Sequence, residues 1–165
     1  MATPMKSKVL QLLKKRIVHL IVLLIIMAVI FRTGFQVIYN YGGSMEPTLR
    51  SHQLLLLNKV WYDILPVDRF DVVVLYETNK KEYLVKRIIG LPNEVIEIKE
   101  GVILLGGKPL RDDPIRITYE NASSVNLEPL RIPPDGYFYI GDDRVDSVLG
   151  IVLEKDIRGK VMFVK

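Results

Sequence analysis

The sequence predicts a mostly β fold: a β domain of several antiparallel sheets and hairpins, of sandwich or barrel type, preceded by one transmembrane helix. One uninterrupted apolar run near the N-terminus predicts the helix. After it, short apolar segments alternate with turn signals, and no long segment has the periodicity of an amphipathic helix. We therefore divide the 165 residues into a basic N-terminus at 1–16, a membrane anchor at 17–38 and a β domain at 39–165.

The anchor rests on the run from Ile17 to Phe31, which contains no charged residue. As a helix this run would span about 22 Å, whereas the hydrocarbon core of a bilayer is about 30 Å thick. Arg16 and Arg32 can extend their charged ends to the headgroups, and apolar residues after Arg32 lengthen the segment. The alternative is a cleaved signal peptide, but no small-x-small cleavage motif follows Phe31.

The positive charge is concentrated at the N-terminal end. Residues 1–50 contain seven Lys and Arg and one acid, Glu46, which gives +6, whereas the remainder carries −2. Five of these bases precede the apolar run without an acid, and the positive-inside rule then places the N-terminus in the cytoplasm and the β domain outside. This distribution does not indicate a nucleic-acid-binding face, so we predict no nucleic-acid partner.

The residue types restrict the possible sites. The absence of cysteine excludes disulfides, thiol nucleophiles and thiolate metal sites. A histidine triad or a multi-histidine metal centre would need more than His19 and His52, or one of these well placed. We expect no metal and no cofactor.

Eight segments have strand length and are rich in Val, Ile, Leu and Tyr. They are LLLLNKV, FDVVVLY, EYLVKRIIG, EVIEIK, VILLGG, IRITYE, GYFYIGD and GKVMFVK. Gly106-Gly107 predicts a hairpin turn, and the polar stretch Tyr119–Pro129 predicts a surface loop or a mobile insertion. After the anchor, short helical turns are predicted at KVWYDIL and LEKDI.

Two residues stand out chemically. Ser44 follows Gly42-Gly43, which predicts an exposed bend, and alone it is explained as the cap of a short helical turn. Lys86 lies within an apolar strand, where its charge costs free energy unless it is paired or removed. Alone, Lys86 is explained by an ion pair with a core acid or by an edge position that faces water.

Together these segments resemble the type I signal peptidases, membrane-anchored serine proteases with a Ser/Lys dyad. The resemblance is carried by GGSMEPTL, RFDVVVLY, YLVKRIIGLPNE and GDDRVDS, and it covers most of the chain from the anchor to Lys165. It implies a signal-peptidase-like β domain that removes signal peptides from exported preproteins and cuts after small residues. Ser44 would be the nucleophile and Lys86 the general base, with the Ser44 backbone N–H as an oxyanion donor.

This mechanism needs a neutral lysine. Lowering a lysine pKa by about three pH units requires about 4 kcal/mol, which burial among Leu84, Val85 and Ile88 can supply. By resemblance, Met45, Leu49, Leu84 and Val85 line the substrate pocket. The expected structural residues near the site are Gly42, Gly43, Pro47, Arg87, Gly141, Asp142 and Arg144. Some members have a serine where Gly42 stands here, so the second oxyanion donor is left undefined.

The C-terminal motif departs from the family pattern. Asp143 replaces an asparagine, and a later Asp-Ser-Arg is shortened or lost. Ser147 aligns in two ways: by its distance from Gly141 it is the serine that orients the lysine, and by its neighbour Asp146 it belongs to the missing Asp-Ser-Arg. We favour the first alignment. Without the lost arginine, ion pairing by Asp142, Asp143 and Arg144 is expected to hold this corner.

The resemblance implies signal peptides and the lipid bilayer as partners, with the secretion machinery nearby. It also implies a single-pass protein of the cell membrane, of the Gram-positive bacterial kind. Two alternatives remain: a self-cleaving repressor-type enzyme, which the anchor and the absence of an N-terminal DNA-binding domain disfavour, and a non-cleaving or specialised relative that assists assembly of exported surface proteins.

Overall fold

The computed structural model describes residues 4–59, 66–78, 80–115, 125–144 and 147–162. The chain divides into two compact units, an N-terminal unit that ends at Phe35 and a larger unit that begins at Gln36. The first unit is helical and the second is formed mainly by antiparallel strands. The predicted mostly β fold with one N-terminal apolar helix is therefore confirmed.

The N-terminal unit is the helix α1, Pro4–Gly34. Its segment Gln11–Gly34 has a mean hydropathy of 2.5 and is long and apolar enough to cross a membrane. The helix ends at Gly34, four residues before the predicted end of the anchor, because Phe35–Tyr39 forms strand β1. The membrane boundaries at 17 and 38 stay predictions.

The described part of the second unit contains the remainder of β1 and ten further strands. These are β2 Leu54–Asn58, β3 Val72–Glu77, β4 Glu82–Gly90, β5 Val95–Lys99, β6 Val102–Leu105, β7 Lys108–Pro109, β8 Leu127–Arg131, β9 Gly136–Ile140, β10 Gly150–Leu153 and β11 Ile157–Met162. A 3₁₀ helix, Glu154–Asp156, connects β10 to β11 and agrees with the turn predicted at LEKDI.

The strands form two sheets. A seven-stranded sheet has the order β1-β2-β11-β3-β4-β9-β10, and a four-stranded sheet has the order β7-β6-β5-β8. In β5, Ile96 and Ile98 are buried and alternate with more exposed residues, as expected of a half-buried strand. Gly106 and Gly107 both have positive φ in the β6–β7 hairpin, as predicted.

The polar-loop prediction for Tyr119–Pro129 is wrong at its C-terminal end. Leu127–Arg131 forms β8, which pairs with β5. Glu128 and Pro129 are exposed and hide the strand pattern in the sequence. Pro129 is tolerated because β8 is an edge strand, where a missing N–H need not break a ladder. Residues 116–124, which include most of IRITYE, and residues 60–65 of KVWYDIL lie outside the described residues.

Two features of this fold position the site. Met45 and Leu49 are buried in a core cluster that also contains Leu55, Leu57, Val72, Val74 and Val161. The second feature is the edge of β4: it pairs with β3 from Glu82 to Arg87, but with β9 only from Arg87 onward. On that side, residues 82–86 have no neighbouring strand within the described part of the chain.

Candidate active site

The loop that carries Ser44 is held at both ends. The buried side chain of Asn40 donates hydrogen bonds to the carbonyls of Gly42 and Arg50, at 3.0 Å each. At the centre, the N–H of Glu46 donates to the carbonyl of Gly43 at 2.8 Å. Since Met45 is only 1% exposed, the residue after Ser44 anchors the loop in the core. Ser44 itself stays partly exposed.

Lys86 reaches Ser44 from β4. Its side chain is 2% exposed, and its Nζ donates a hydrogen bond to Oγ of Ser44 at 2.6 Å. The same Nζ lies 3.2 Å from Oγ of Ser147. The structure therefore brings these three predicted residues together, although they are separated by as many as 103 positions along the chain.

The surroundings shift Lys86 toward its neutral form. Burial is the largest cause that lowers the pKa of its ammonium from 10.5 to about 8, and the positive charge of Lys80 acts in the same direction. The carboxylates of Asp142 and Asp143 oppose this shift. At pH 7 about one molecule in ten then has a neutral amine, compared with about one in a few thousand for a free lysine.

Gly141 is the contact point between the two serines. A Cβ at this position would overlap both Oγ of Ser147 and the backbone oxygen of Ser44. The same backbone oxygen accepts a hydrogen bond from the N–H of Asp143 at 3.1 Å. The absence of a side chain at Gly141 therefore lets the side chain of Ser147 and the turn at residues 141–144 pack against the loop that carries Ser44.

Two ion pairs support this turn. Arg87 donates to both carboxylate oxygens of Asp142 through Nε at 2.7 Å and an Nη at 2.6 Å, and both side chains are buried. Arg144 donates to both oxygens of Asp113 at 2.9 and 2.8 Å. Asp142 and Arg144 thus pair with residues outside the turn, whereas the backbone of Asp143 binds the Ser44 loop.

The remaining structural candidates lie close to Ser44 in sequence. Pro47 follows Ser44 by three residues and forms a cis peptide bond with Glu46. Gly43 accepts the hydrogen bond that closes the turn, and Gly42 lines the groove beside Ser44.

A groove of about 670 Å³ adjoins Ser44. Leu84 and Val85 line it, together with Ile38, Leu57 and Val74. Met45 and Leu49, also predicted to line the substrate pocket, do not line this groove: they are buried in the core, each 1% exposed. Their contribution to a pocket stays a prediction.

Sequence reasoning missed two supports of the site, Asn40 and Asp113. Asn40 occurs in the stretch NYGG, but nothing in that pattern shows that its amide clamps residues 42 and 50. Asp113 lies 31 residues from Arg144, in a segment without a recognisable motif. Among the described residues, no group of three His, Asp or Glu side chains is placed to hold a metal ion.

Comparison with known proteins assigns this arrangement to a family. The sequence model described as signal peptidase, peptidase S26, matches residues 13–165. The chain belongs to the signal peptidase family. The predicted family and enzyme class, serine endopeptidase, are thereby confirmed.

Several relatives within the signal peptidase family come from Bacillus. Signal peptidase I of Bacillus caldolyticus is 39% identical over 137 residues, which cover 74% of this chain and 74% of the relative. Signal peptidase I P of Bacillus subtilis subsp. natto is 32% identical over 165 residues, covering 93% and 87% of the two chains. These relatives and the apolar helix indicate a membrane-anchored bacterial protein.

A solved structure supports the fold. The crystal structure of a signal peptidase I from Enterococcus faecalis matches with a TM-score of 0.52 and 22% identity. The match covers 60% of this chain and 99% of that chain. The β domain therefore has the signal peptidase fold.

Proposed function

We propose that this protein is a membrane-bound serine endopeptidase that removes signal peptides from exported preproteins, with Ser44 as nucleophile and Lys86 as general base. The observation that carries the proposal is the 2.6 Å contact between Nζ of Lys86 and Oγ of Ser44 in a buried setting. Family membership supplies the enzyme class. A preformed dyad of this kind is not needed by a non-cleaving assembly factor, so it favours the enzyme.

The proton moves between the two side chains. Neutral Lys86 accepts the hydroxyl proton of Ser44 while Oγ attacks the scissile carbonyl, and the resulting ammonium returns the proton to the leaving amine. Water, activated by the same amine, then hydrolyses the acyl-enzyme and restores Ser44. The backbone N–H of Ser44 donates to no other backbone group in the described residues, so it is available for the developing oxyanion.

The free edge of β4 suits an extended substrate. A peptide that lies beside residues 82–86 can add a strand to the sheet, with backbone hydrogen bonds that do not depend on its sequence. Its side chains near the cut would then meet Leu84 and Val85 in the groove, where small apolar residues are accommodated. This arrangement accounts for cutting after small residues in many different preproteins.

The proposed topology follows the charges around α1. Basic residues precede its apolar segment, so the N-terminus is placed in the cytoplasm and the β domain on the outer face. There the β domain meets preproteins as they leave the membrane, near the secretion machinery.

Preprotein cleavage by the purified full chain in detergent tests the proposal directly. Wild-type protein is expected to release a product whose new N-terminus, read by N-terminal sequencing, follows a small residue. The Ser44→Ala variant is expected to release none. A preprotein left intact by wild type, or cut at the same bond by Ser44→Ala, contradicts the proposal.

The rate is expected to depend on the protonation of Lys86. Because only the neutral amine accepts a proton, kcat/KM for a peptide substrate should rise about tenfold per pH unit below pH 8 and level off above it. The same shift makes folding more favourable as pH rises from about 8 to 10.5, since the unfolded lysine holds its proton longer. A rate that is flat between pH 6 and 8 speaks against Lys86 as the base.

Ser147→Ala is expected to lower kcat by about ten- to a hundredfold with little change in KM. Its Oγ lies 3.2 Å from Nζ of Lys86, so it fixes the direction of the amine rather than binding substrate. Ser147→Thr, which keeps the hydroxyl, should recover part of the rate. Steady-state kinetics distinguish these outcomes, and an unchanged kcat in Ser147→Ala would favour the second alignment of this serine.

A further inference from the structure

Two cationic side chains line one end of the groove. Lys59 and Arg158 both line it, and no carboxylate lines it among the described residues. The guanidinium of Arg158 lies 5.6 Å from the ring centroid of Tyr76, and that ring is 5.2 Å from the ring of Tyr83. We call these four residues, Lys59, Arg158, Tyr76 and Tyr83, the cationic end.

Strand register places the cationic end away from the dyad. Tyr76 pairs with Tyr83, and Tyr83 precedes Lys86 by three residues on β4. At about 3.3 Å per residue, Tyr83 is about 10 Å from Lys86 along the strand. In the same sheet, β11 pairs with β2, and Lys160 lies opposite Asn58. Because these two strands are antiparallel, Lys59, just after the C-terminal end of β2, lies near Arg158 of β11.

The charge of this end is only weakly compensated. Arg158 lies 3.8 Å from a carboxylate oxygen of Asp156, and its side chain is 41% exposed. A pair that long and that exposed contributes little and leaves the guanidinium open to another anion. The contact with Tyr76 and a 2.9 Å hydrogen bond from an Nη of Arg158 to the carbonyl of Lys155 restrict the guanidinium, and its remaining N–H groups can donate to a carboxylate.

We propose that the cationic end is a specificity subsite that binds an acidic side chain of the substrate, about four or five residues before the scissile bond. The inference rests on the proposed function, because the position is counted along a substrate extended beside β4. A chain that rises about 3.3 Å per residue covers the 10 Å from Lys86 to Tyr83 in about three residues. Arg158 lies on β11, two strands away from β4, so the long side chains of Arg158 and of a glutamate have to cover this lateral distance within the groove that Arg158 and Tyr83 both line.

Peptide cleavage measures this subsite. The substrates are peptides with alanine before the cut and a single glutamate placed three, four, five or six residues upstream, each compared with its glutamine isostere. The full chain is assayed in a non-ionic detergent at low and high salt. At one of these positions glutamate should raise kcat/KM over glutamine by about two- to fivefold, the range expected of a partly exposed charge pair. Salt should reduce the ratio.

Variants assign the preference to named residues. Arg158→Gln should bring the glutamate-to-glutamine ratio close to one, and Arg158→Glu combined with Lys59→Glu should invert it and favour a lysine peptide. Lys108→Gln is the matched control, since Lys108 is an exposed cation of the four-stranded sheet and the ratio should not change. A ratio of one at every position in wild type, or a ratio that these groove variants leave unchanged, overturns the subsite.

A binding measurement distinguishes a failure of this inference from a failure of the proposed function. If neither peptide is cut, the proposed function fails, and fluorescence anisotropy of the same labelled peptides with Ser44→Ala still measures the preference for glutamate. Equal binding of both peptides overturns the subsite. A third result would also overturn the subsite: the peptides show no preference, but phosphatidylglycerol in the micelles changes the activity of wild type and not that of Arg158→Glu. That result would make the cationic end a lipid-headgroup site.

Discussion

Replacing Lys86 with methionine is expected to reduce cleavage by at least about 10⁴-fold while the fold is retained. Methionine fills a similar volume, but it cannot take the proton from Oγ of Ser44, which lies 2.6 Å from Nζ in the native protein. The substitution also removes an amine that is only 2% exposed, and burial of an amine costs free energy. The free energy of unfolding should therefore be unchanged or higher.

A cleavage assay and urea unfolding on the same preparation test whether activity is lost while stability is retained. Lys108→Met is a suitable control, because Lys108 is exposed on β7 and both readouts should match those of wild type. Cleavage by Lys86→Met within tenfold of wild type would show that another group is the base. A large loss of stability would instead assign Lys86 a structural role.

Asp142→Ala is expected to destabilise the protein by about 3–5 kcal/mol. Asp142 accepts two hydrogen bonds from Arg87, and the carboxylate side chain is fully buried. Its removal leaves a buried guanidinium without its counterion beside the dyad lysine. The pair also ties β4 to the turn that begins at Gly141, so kcat should fall along with stability.

Chemical denaturation gives this loss directly. Glu97→Gln provides the comparison, because the partner of Glu97, Lys99, has a side chain that is 67% exposed, and an exposed pair contributes at most about 1 kcal/mol. Equal losses in the two variants would mean that burial of the Arg87–Asp142 pair does not determine its contribution.

The contact between Ser44 and Lys86 was predictable from the resemblance to type I signal peptidases, which GGSMEPTL and YLVKRIIGLPNE carry. Taken separately, a lysine inside an apolar strand and a serine after two glycines have ordinary structural explanations. Strands β3 and β9 were predictable because they are buried nearly throughout and read as short apolar runs. β1 and β10 were not predicted: β1 continues the apolar anchor segment, and β10 has only four residues. β8 was missed because its exposed residues, Glu128 and Pro129, are typical of loops.

Contacts between segments that are distant in sequence could not be predicted. The pairing of Arg144 with Asp113 depends on how the segment after β7 packs against the turn after β9, which no local pattern encodes. Met45 shows that the role of a single apolar residue is also ambiguous in the sequence. An apolar residue next to a nucleophile suits a substrate pocket and a core equally well, and the folded chain uses it in the core.

The open edge of β4 has a consequence beyond catalysis. On one side, residues 82–86 have no strand partner among the described residues. Such unpaired backbone groups attract any extended chain, including the same edge of a second copy, and so favour self-association. In this protein Lys80, Lys81 and Glu82 lie at the start of that edge, two of them exposed lysines at the hairpin tip. Charges in such positions keep sheets from joining edge to edge. The charged hairpin therefore protects β4 against aggregation while its edge stays open to substrate.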